Sequence, residues 1–314
     1  MGYLRNGVWH DGWYDTAKTG GEFVRSQSAF RDRITADGSS GFPADRSRYH
    51  LYVSLACPWA HRTLVFRKLK QLENVISVSV VEPVIGAQGW AFSAALPDHL
   101  HGYQYLHQLY SRARPDYSGR VTVPVLWDRQ RETIVNNESA EIIRMLNAEF
   151  AQYTPDRYDY YPAALREEID RINAVVYENV NNGVYRSGFA GTQDAYEAAV
   201  KRLFETLDAL ETRLSRSRYL AGATLTEADW RLFTTLVRFD AVYHGHFKCN
   251  VRRLDDYPSL SGYLRELYQM PGIAETVDLD HIKRHYYMSH THINPSRIVP
   301  LGPALDFSRP HGRC

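Results

Sequence analysis

The spacing of apolar residues changes period along the chain, and each change marks an element. From Arg48, "RYHLYVSLA" alternates Tyr and His with apolar residues at strand spacing. "PWAHRTLVFRKLKQLE" then runs at helical spacing, with Leu64, Leu69 and Leu72 toward one side. The β-branched density of "VISVSVVEPV" predicts a buried strand ending at Pro83. A polar, aromatic insertion runs from Gly86 to Gly119. After it, "RVTVPVLWD" and "TIVNNE", joined by "RQRE", predict two strands and a short turn, and "SAEIIRMLNAEF" predicts a helix.

Beyond "YDYYP" the period stays helical. "ALREEIDRINAVVYENVNNGVY", "AYEAAVKRLFETLDALETRLSR", "EADWRLFTTLVRFDAVY" and "SLSGYLRELYQM" contain almost no internal Gly or Pro, which predicts an all-α domain. Residues 1–48 are irregular, broken by "TGGEF" and "DGSSGFP", and predict an N-terminal arm. The order strand, helix, strand, strand, strand, helix is the thioredoxin-like arrangement. The expected fold class is therefore an α/β thioredoxin-like N-terminal domain over 49–155 followed by an all-α C-terminal domain over 160–314. The tail from His281 ends in a Pro-rich loop. Thr226, followed three residues on by Asp229, reads as a helix cap and is assigned to folding.

Composition narrows the function. A chain of 314 residues, 44% apolar and 23% charged, can bury a sizeable core in two domains. A formal net charge of +1, without clustered Lys or Arg, gives no footprint for nucleic acid or an anionic membrane. No apolar stretch approaches membrane-spanning length. Three widely spaced cysteines (Cys57, Cys249, Cys314) make no disulfide framework, and "MGYLRNGVWHDGWYD" lacks the apolar core of a secretory signal. A reducing, cytoplasmic setting is expected. The 22 tyrosines are in excess; packing accounts for most, and a few are candidates to line a pocket for a flat ligand.

Candidate chemistry centres on Cys57. It sits where a strand ends and a helix begins, and Pro58 suits the first helical position because its missing N–H would have been unpaired there. A thiolate at that point faces the positive end of a helix dipole, the setting that lowers a cysteine pKa. His61 and Arg62, one turn on, are candidates to add positive charge. Three residues after Cys57, where a C-x-x-C pair has its second thiol, stands Ala60. An attacked Cys57 therefore closes no internal disulfide at this motif, and its partner is expected to be a diffusible thiol, of which glutathione is the abundant one in a reducing compartment.

Two further stretches fit a peptide thiol. In "VTVPVL" Pro124 interrupts what reads as an interior strand, favouring a cis Val123–Pro124 bond that turns the Val123 backbone toward a peptide ligand as an added strand. In "NNESAEI" Ser139 opens a helix and Glu138 precedes it; hydroxyl and N–H groups suit a carboxylate, and the acid suits an ammonium group. A free α-amino acid end, such as the γ-glutamyl end of glutathione, presents both. Plain capping by Ser139 is the alternative.

With these residues in place, the chain resembles the glutathione transferase fold and, within it, the glutathionyl-hydroquinone reductases, the Xi class. The resemblance spans nearly the whole length, through "SLACPWAHR", "GW.F" at Gly89 to Phe92, "GRVTVPVLWD", "NNESAEI", "NNGVYRSGFA" and "HYYMSH..INP..IVP.GP". It implies glutathione-dependent reduction of glutathionyl-hydroquinones, with glutathione as co-substrate, and a homodimer. It also implies roles: Cys57 as nucleophile; Trp90, Arg120, Val123, Pro124, Glu138 and Ser139 at the glutathione site; Tyr185, Tyr243 and Tyr286 on the aromatic-substrate side, with Tyr287 the alternative to Tyr286. Tyr185 and Tyr286 would act in catalysis, since a positioned phenol can protonate a quinol ring carbon as the bond to sulfur breaks. Arg120 would bind a glycyl carboxylate or hold the leaving aromatic, and a structural role is the alternative.

Two rivals share these residues. An omega-like thioltransferase or dehydroascorbate reductase would use the same Cys57, and an idle transferase fold could serve as a binding module. The tail histidines, His281, His285, His290 and His292, have ligand chemistry but no companion carboxylate or cysteine, so no metal is expected.

Overall fold

The computed structural model describes residues 2–313. The chain forms two compact units: residues 1–13 with 26–158, and residues 14–25 with 159–314. The first 48 residues are thus divided between the units.

The first unit holds a hairpin of β1 (Gly2–Arg5) and β2 (Val8–Asp11), then β3 (Tyr49–Val53), α1 (Pro58–Leu69), β4 (Ser77–Val80), α2 (Leu106–Ala113), β5 (Gly119–Arg120), β6 (Val125–Asp128), β7 (Thr133–Asn136) and α3 (Ser139–Ala148). The main sheet runs β4-β3-β6-β7, with β3 and β4 parallel and the other pairs antiparallel. Helix α1 makes the crossover between the parallel strands and packs with α3. This is the expected thioredoxin-like order.

Several local expectations change. The irregular N-terminus contains a hairpin, which pairs through β1 with β5 to give a second sheet, β2-β1-β5. Gly119 and Arg120 leave the main sheet for it, so "RVTVPVLWD" is a strand only from Val125. The insertion contains α2, whose apolar residues Leu106, Leu109 and Tyr110 are buried. The inward side of α1 is Ala60, Val65 and Phe66, with His61 and Arg62 also buried, while Leu64 and Leu69 are partly exposed. Both faces of β3 are covered: His50 bridges Ser77 Oγ (2.7 Å) and Ser79 Oγ (2.9 Å), and the Tyr52 hydroxyl donates to Asp98 Oδ1 (2.9 Å). These polar partners make the face of His50 and Tyr52 a second interior.

The second unit is helical: α4 (Arg166–Val176), α5 (Gly183–Gly188), α6 (Gln193–Leu214), α7 (Glu227–Arg238), the short α8 (His244–His246), α9 (Pro258–Tyr268) and α10 (Leu279–Ser289). A π-helical turn over Tyr177–Asn181 joins α4 to α5, and another over Phe239–Tyr243 joins α7 to α8. The tail from His281 therefore begins inside a helix. Thr226 and Asp229 form the expected reciprocal cap on α7. Asp229 does more than cap: its carboxylate also accepts from the Leu220 N–H and the Tyr263 hydroxyl, both at 2.8 Å. The C-terminal residues are clamped down, with Gln269 Nε2 donating to the Phe307 and Arg309 carbonyls and Arg313 Nε to Glu266 Oε2 (2.9 Å).

Candidate active site

In the first unit the chain leaves β3 through Ser54–Ala56, and Cys57 becomes the N-cap of α1 in extended conformation with Pro58 at the first helical turn. Cys57 makes no side-chain capping bond. Its thiol instead points to the Val123 carbonyl oxygen, 3.6 Å away. The Val123–Pro124 peptide bond is cis. Cys57 is 9% exposed, and Ala60 at the resolving position is buried. The structure therefore brings Cys57, Val123 and Pro124 together, with no second thiol on the first turn of α1.

Helix α3 starts beside another charged group. Glu138, not Ser139, is its N-cap: Glu138 Oε1 accepts from the Ala140 N–H (3.0 Å), and Oε2 accepts from the Ser28 hydroxyl (3.1 Å). That leaves the Ser139 hydroxyl with a different contact, the buried guanidinium of Arg62, whose NH1 donates to it at 3.3 Å. Arg62 also lies over the Trp59 ring, 4.5 Å from its centroid. Its guanidinium reaches the start of α3. A carboxylate, a hydroxyl and a buried cation thus meet at one helix start, a fit for a group carrying both ammonium and carboxylate.

Trp90 is buried, and its carbonyl accepts from the Leu106 N–H at the start of α2 (2.9 Å). Arg120 is engaged by the N-terminal hairpin: NH1 donates to the Gly12 carbonyl (2.6 Å) and NH2 to the Trp13 carbonyl (2.9 Å). These bonds give Arg120 a structural task, the alternative to the two ligand roles.

The second unit assembles the tyrosines. The Tyr286 hydroxyl lies 2.6 Å from that of Tyr185 and 3.0 Å from that of Tyr243, so three phenols from α5, the second π turn and α10 form one hydrogen-bonded cluster around Tyr286. Burial pushes the Tyr243 and Tyr286 phenols well above their ordinary range, which keeps them neutral and able to donate. Tyr287 takes another direction, its ring edge-on to His246 at 4.8 Å. Geometry thus separates the two adjacent tyrosines. Phe23, from the N-terminal segment of this unit, packs 6.4 Å from Tyr185 and 5.2 Å from Phe189, and Arg25 lies 4.7 Å above the Tyr185 ring. Nothing in the irregular sequence around Phe23 marks it as a neighbour of a residue so far along the chain.

Cys249 and the tail histidines His281, His285 and His290 are buried, His292 is exposed, and Cys314 lies outside the described residues. Cys249 has its thiol pushed up to about 12 by burial. His246 Nε2 and His290 Nδ1 are 3.1 Å apart, and no group of three potential ligands among the described residues is arranged to hold a metal ion.

Known proteins are similar to this chain in sequence and fold. The family models "Glutathione S-transferase, N-terminal domain" and "Glutathione S-transferase, C-terminal domain" match residues 56–149 and 193–266. The glutathionyl-hydroquinone reductase YqjG of Escherichia coli (strain K12) is 58% identical over 100% of this chain and 98% of its own length. The chain belongs to the glutathionyl-hydroquinone reductase family of glutathione transferases. A second member, the glutathionyl-hydroquinone reductase PcpF of Sphingobium chlorophenolicum, is 55% identical over 97% of each chain. Among solved structures, glutathione-bound YqjG superimposes with a TM-score of 0.92 at 53% identity, covering 99% of both chains. A Xi class transferase from Natrialba magadii gives 0.93 at 49% identity, covering 99% of this chain and 96% of its own. The Xi-class fold thus accounts for both the thioredoxin-like and the helical parts of this reductase family member.

Proposed function

We propose that this protein reduces glutathionyl-hydroquinones to hydroquinones at the expense of glutathione, by way of a Cys57–glutathione mixed disulfide. The supporting observation is the isolated thiol: Cys57 caps α1 beside the Val123 carbonyl, with Ala60 where a resolving cysteine would stand. Cys57 thiolate attacks the glutathione sulfur of the conjugate. The carbon–sulfur bond breaks, its electron pair goes to the ring carbon, and a phenol supplies the proton that completes the hydroquinone. A second glutathione thiolate then attacks the mixed disulfide, releasing oxidised glutathione and the Cys57 thiolate. One glutathione thiol and the thioether sulfur of the conjugate become one disulfide, and the ring carbon takes up the two electrons and a proton, so the cycle balances.

Glu138 and Ser139 suit the γ-glutamyl end, the Val123 backbone the peptide, and Trp90 the apolar part near sulfur. Tyr185, Tyr243 and Tyr286 are the proposed proton donors, since buried phenols kept neutral can each pass a proton within the cluster. The working form is proposed to be a cytoplasmic homodimer, to be read by sedimentation and by cell fractionation. No helix among the described residues is long and apolar enough to cross a membrane.

The deciding experiment is turnover of a glutathionyl-hydroquinone by native protein and by Cys57→Ser, with mass measurement after exposure to oxidised glutathione. The expected result is ping-pong kinetics, one glutathione adduct on Cys57, and loss of turnover in the variant. Near-native turnover by Cys57→Ser would overturn the mechanism. Faster turnover of a small disulfide than of the aromatic conjugate would favour a general thioltransferase instead.

A further inference from the structure

The N-terminal hairpin is tied to the segment that carries Trp90, and one side chain makes the tie. Trp9, on β2, donates its indole N–H to the Ala87 carbonyl at 2.9 Å. The same ring lies flat against Gly89: a Cβ there would come within 2.7 Å of Trp9 Cη2. Gly89 has φ +76°, a left-handed conformation that glycine adopts without strain. Gly86 and Gly89 exchange backbone hydrogen bonds, so residues 86–89 form a closed turn that delivers the chain directly into Trp90. The indole also stacks on His107 of α2, 4.8 Å between ring centres and 21° from parallel, and His107 Nε2 is 3.1 Å from Gln88 Oε1. The turn is thus gripped by its carbonyl, its glycine and its glutamine side chain.

The hairpin that presents Trp9 is itself anchored twice. β1 pairs with β5, and Arg120 of β5 holds the Gly12 and Trp13 carbonyls just beyond β2. Within the first unit, two proposed glutathione-site residues, Trp90 and Arg120, are therefore connected through the same hairpin.

We propose that Trp9 is a positioning residue of the glutathione site, which it serves by fixing the 86–89 turn and hence the placement of Trp90. The inference rests on the reading of Trp90 as a glutathione contact. Trp9 itself touches neither substrate nor thiol in this account; its effect passes through the turn. Removing its ring leaves the turn free to shift, and glutathione binding then has to include the cost of ordering Trp90. The chemical step with bound glutathione is unaffected.

The test is calorimetric titration of reduced glutathione into native protein, Trp9→Ala, Trp9→Phe and the control Val8→Ala, whose side chain is exposed. Steady-state turnover of the conjugate is measured alongside. Trp9→Ala is expected to weaken glutathione binding and raise its KM about tenfold, a loss of about 1.4 kcal/mol, while kcat at saturating glutathione stays within about twofold of native. Trp9→Phe keeps an aromatic ring at position 9 but loses the N–H to Ala87, and is expected to rescue part of the affinity, falling about threefold short of native. Native affinity in Trp9→Ala overturns the inference, as does an equal fall in kcat at unchanged KM. If Trp9→Ala fails to fold, Trp9→Phe decides: native affinity there overturns the inference. Absence of glutathione binding by the native chain overturns this inference together with the glutathione-site reading, whereas loss of the Trp9 effect alone leaves that reading standing.

Discussion

Replacing Tyr286 by Phe removes one oxygen and, with it, two hydrogen bonds, because its hydroxyl is the centre of the phenol cluster at 2.6 Å from Tyr185 and 3.0 Å from Tyr243. The ring is 1% exposed, so no solvent takes the place of the lost group. A buried neutral hydrogen bond contributes about 1 kcal/mol net, and a buried partner left with one bond fewer adds up to about 1 kcal/mol more, giving roughly 2–4 kcal/mol for Tyr286→Phe. Tyr243→Phe leaves Tyr286 bonded to Tyr185, so by the same count it is expected to cost about 1–2 kcal/mol. In melting temperature these correspond to falls of roughly 4–16 °C and 2–8 °C for a unit of this size. Urea and thermal unfolding followed by circular dichroism measure both, and the double variant completes a cycle whose coupling energy should be about 1 kcal/mol. Strict additivity, or a Tyr286→Phe no less stable than Tyr243→Phe, would refute the shared hydroxyl cluster. If the same cluster donates the proton to the quinol, Tyr286→Phe should also lower kcat by about 10²-fold or more at unchanged glutathione KM.

Acid should weaken the fold through buried histidines. Burial lowers His50 to about 3 and His246 to about 4 from an ordinary 6.5, and His290 also falls well below that value. Since the folded pKa values are depressed, their contribution is complete above pH 6.5 and is lost as pH falls toward 4, where the unfolded chain binds protons that the folded one refuses. Each ring steepens the loss by about 1.4 kcal/mol per pH unit, so equal urea midpoints near pH 5 and pH 7 would sink this account. Asp229→Ala strips a fully buried carboxylate from two N–H groups and two hydroxyls, and is expected to cost about 3 kcal/mol or more in unfolding free energy; a loss below about 1 kcal/mol would show that the cap is dispensable. Cys249, buried and with its thiol pushed up to about 12, should resist iodoacetamide at neutral pH in the folded protein. Peptide mapping reads this directly, and rapid alkylation of Cys249 would contradict its burial.

What the residues determined by themselves was local chemistry. A strand running into Cys57-Pro58, a proline inside "VTVPVL", and Thr226 with Asp229 each carry their meaning within a few positions, because caps, helix starts and proline geometry depend on near neighbours. The period of apolar residues likewise separated the α/β part from the helical part. The tertiary structure decided everything that needed two distant segments to meet. Alternation could not tell that both faces of β3 are interior, since the cover comes from residues around Asp98. Helical spacing pointed α1 by its leucines, while packing with α3 chose Ala60, Val65 and Phe66. "HYY" offered two equivalent phenols, and only the fold aimed Tyr286 at Tyr185 and Tyr243 and turned Tyr287 toward His246. Hydroxyls separated by tens or a hundred positions leave no periodic trace in a sequence. Their meeting is set by how helices pack, and packing is a property of the whole core.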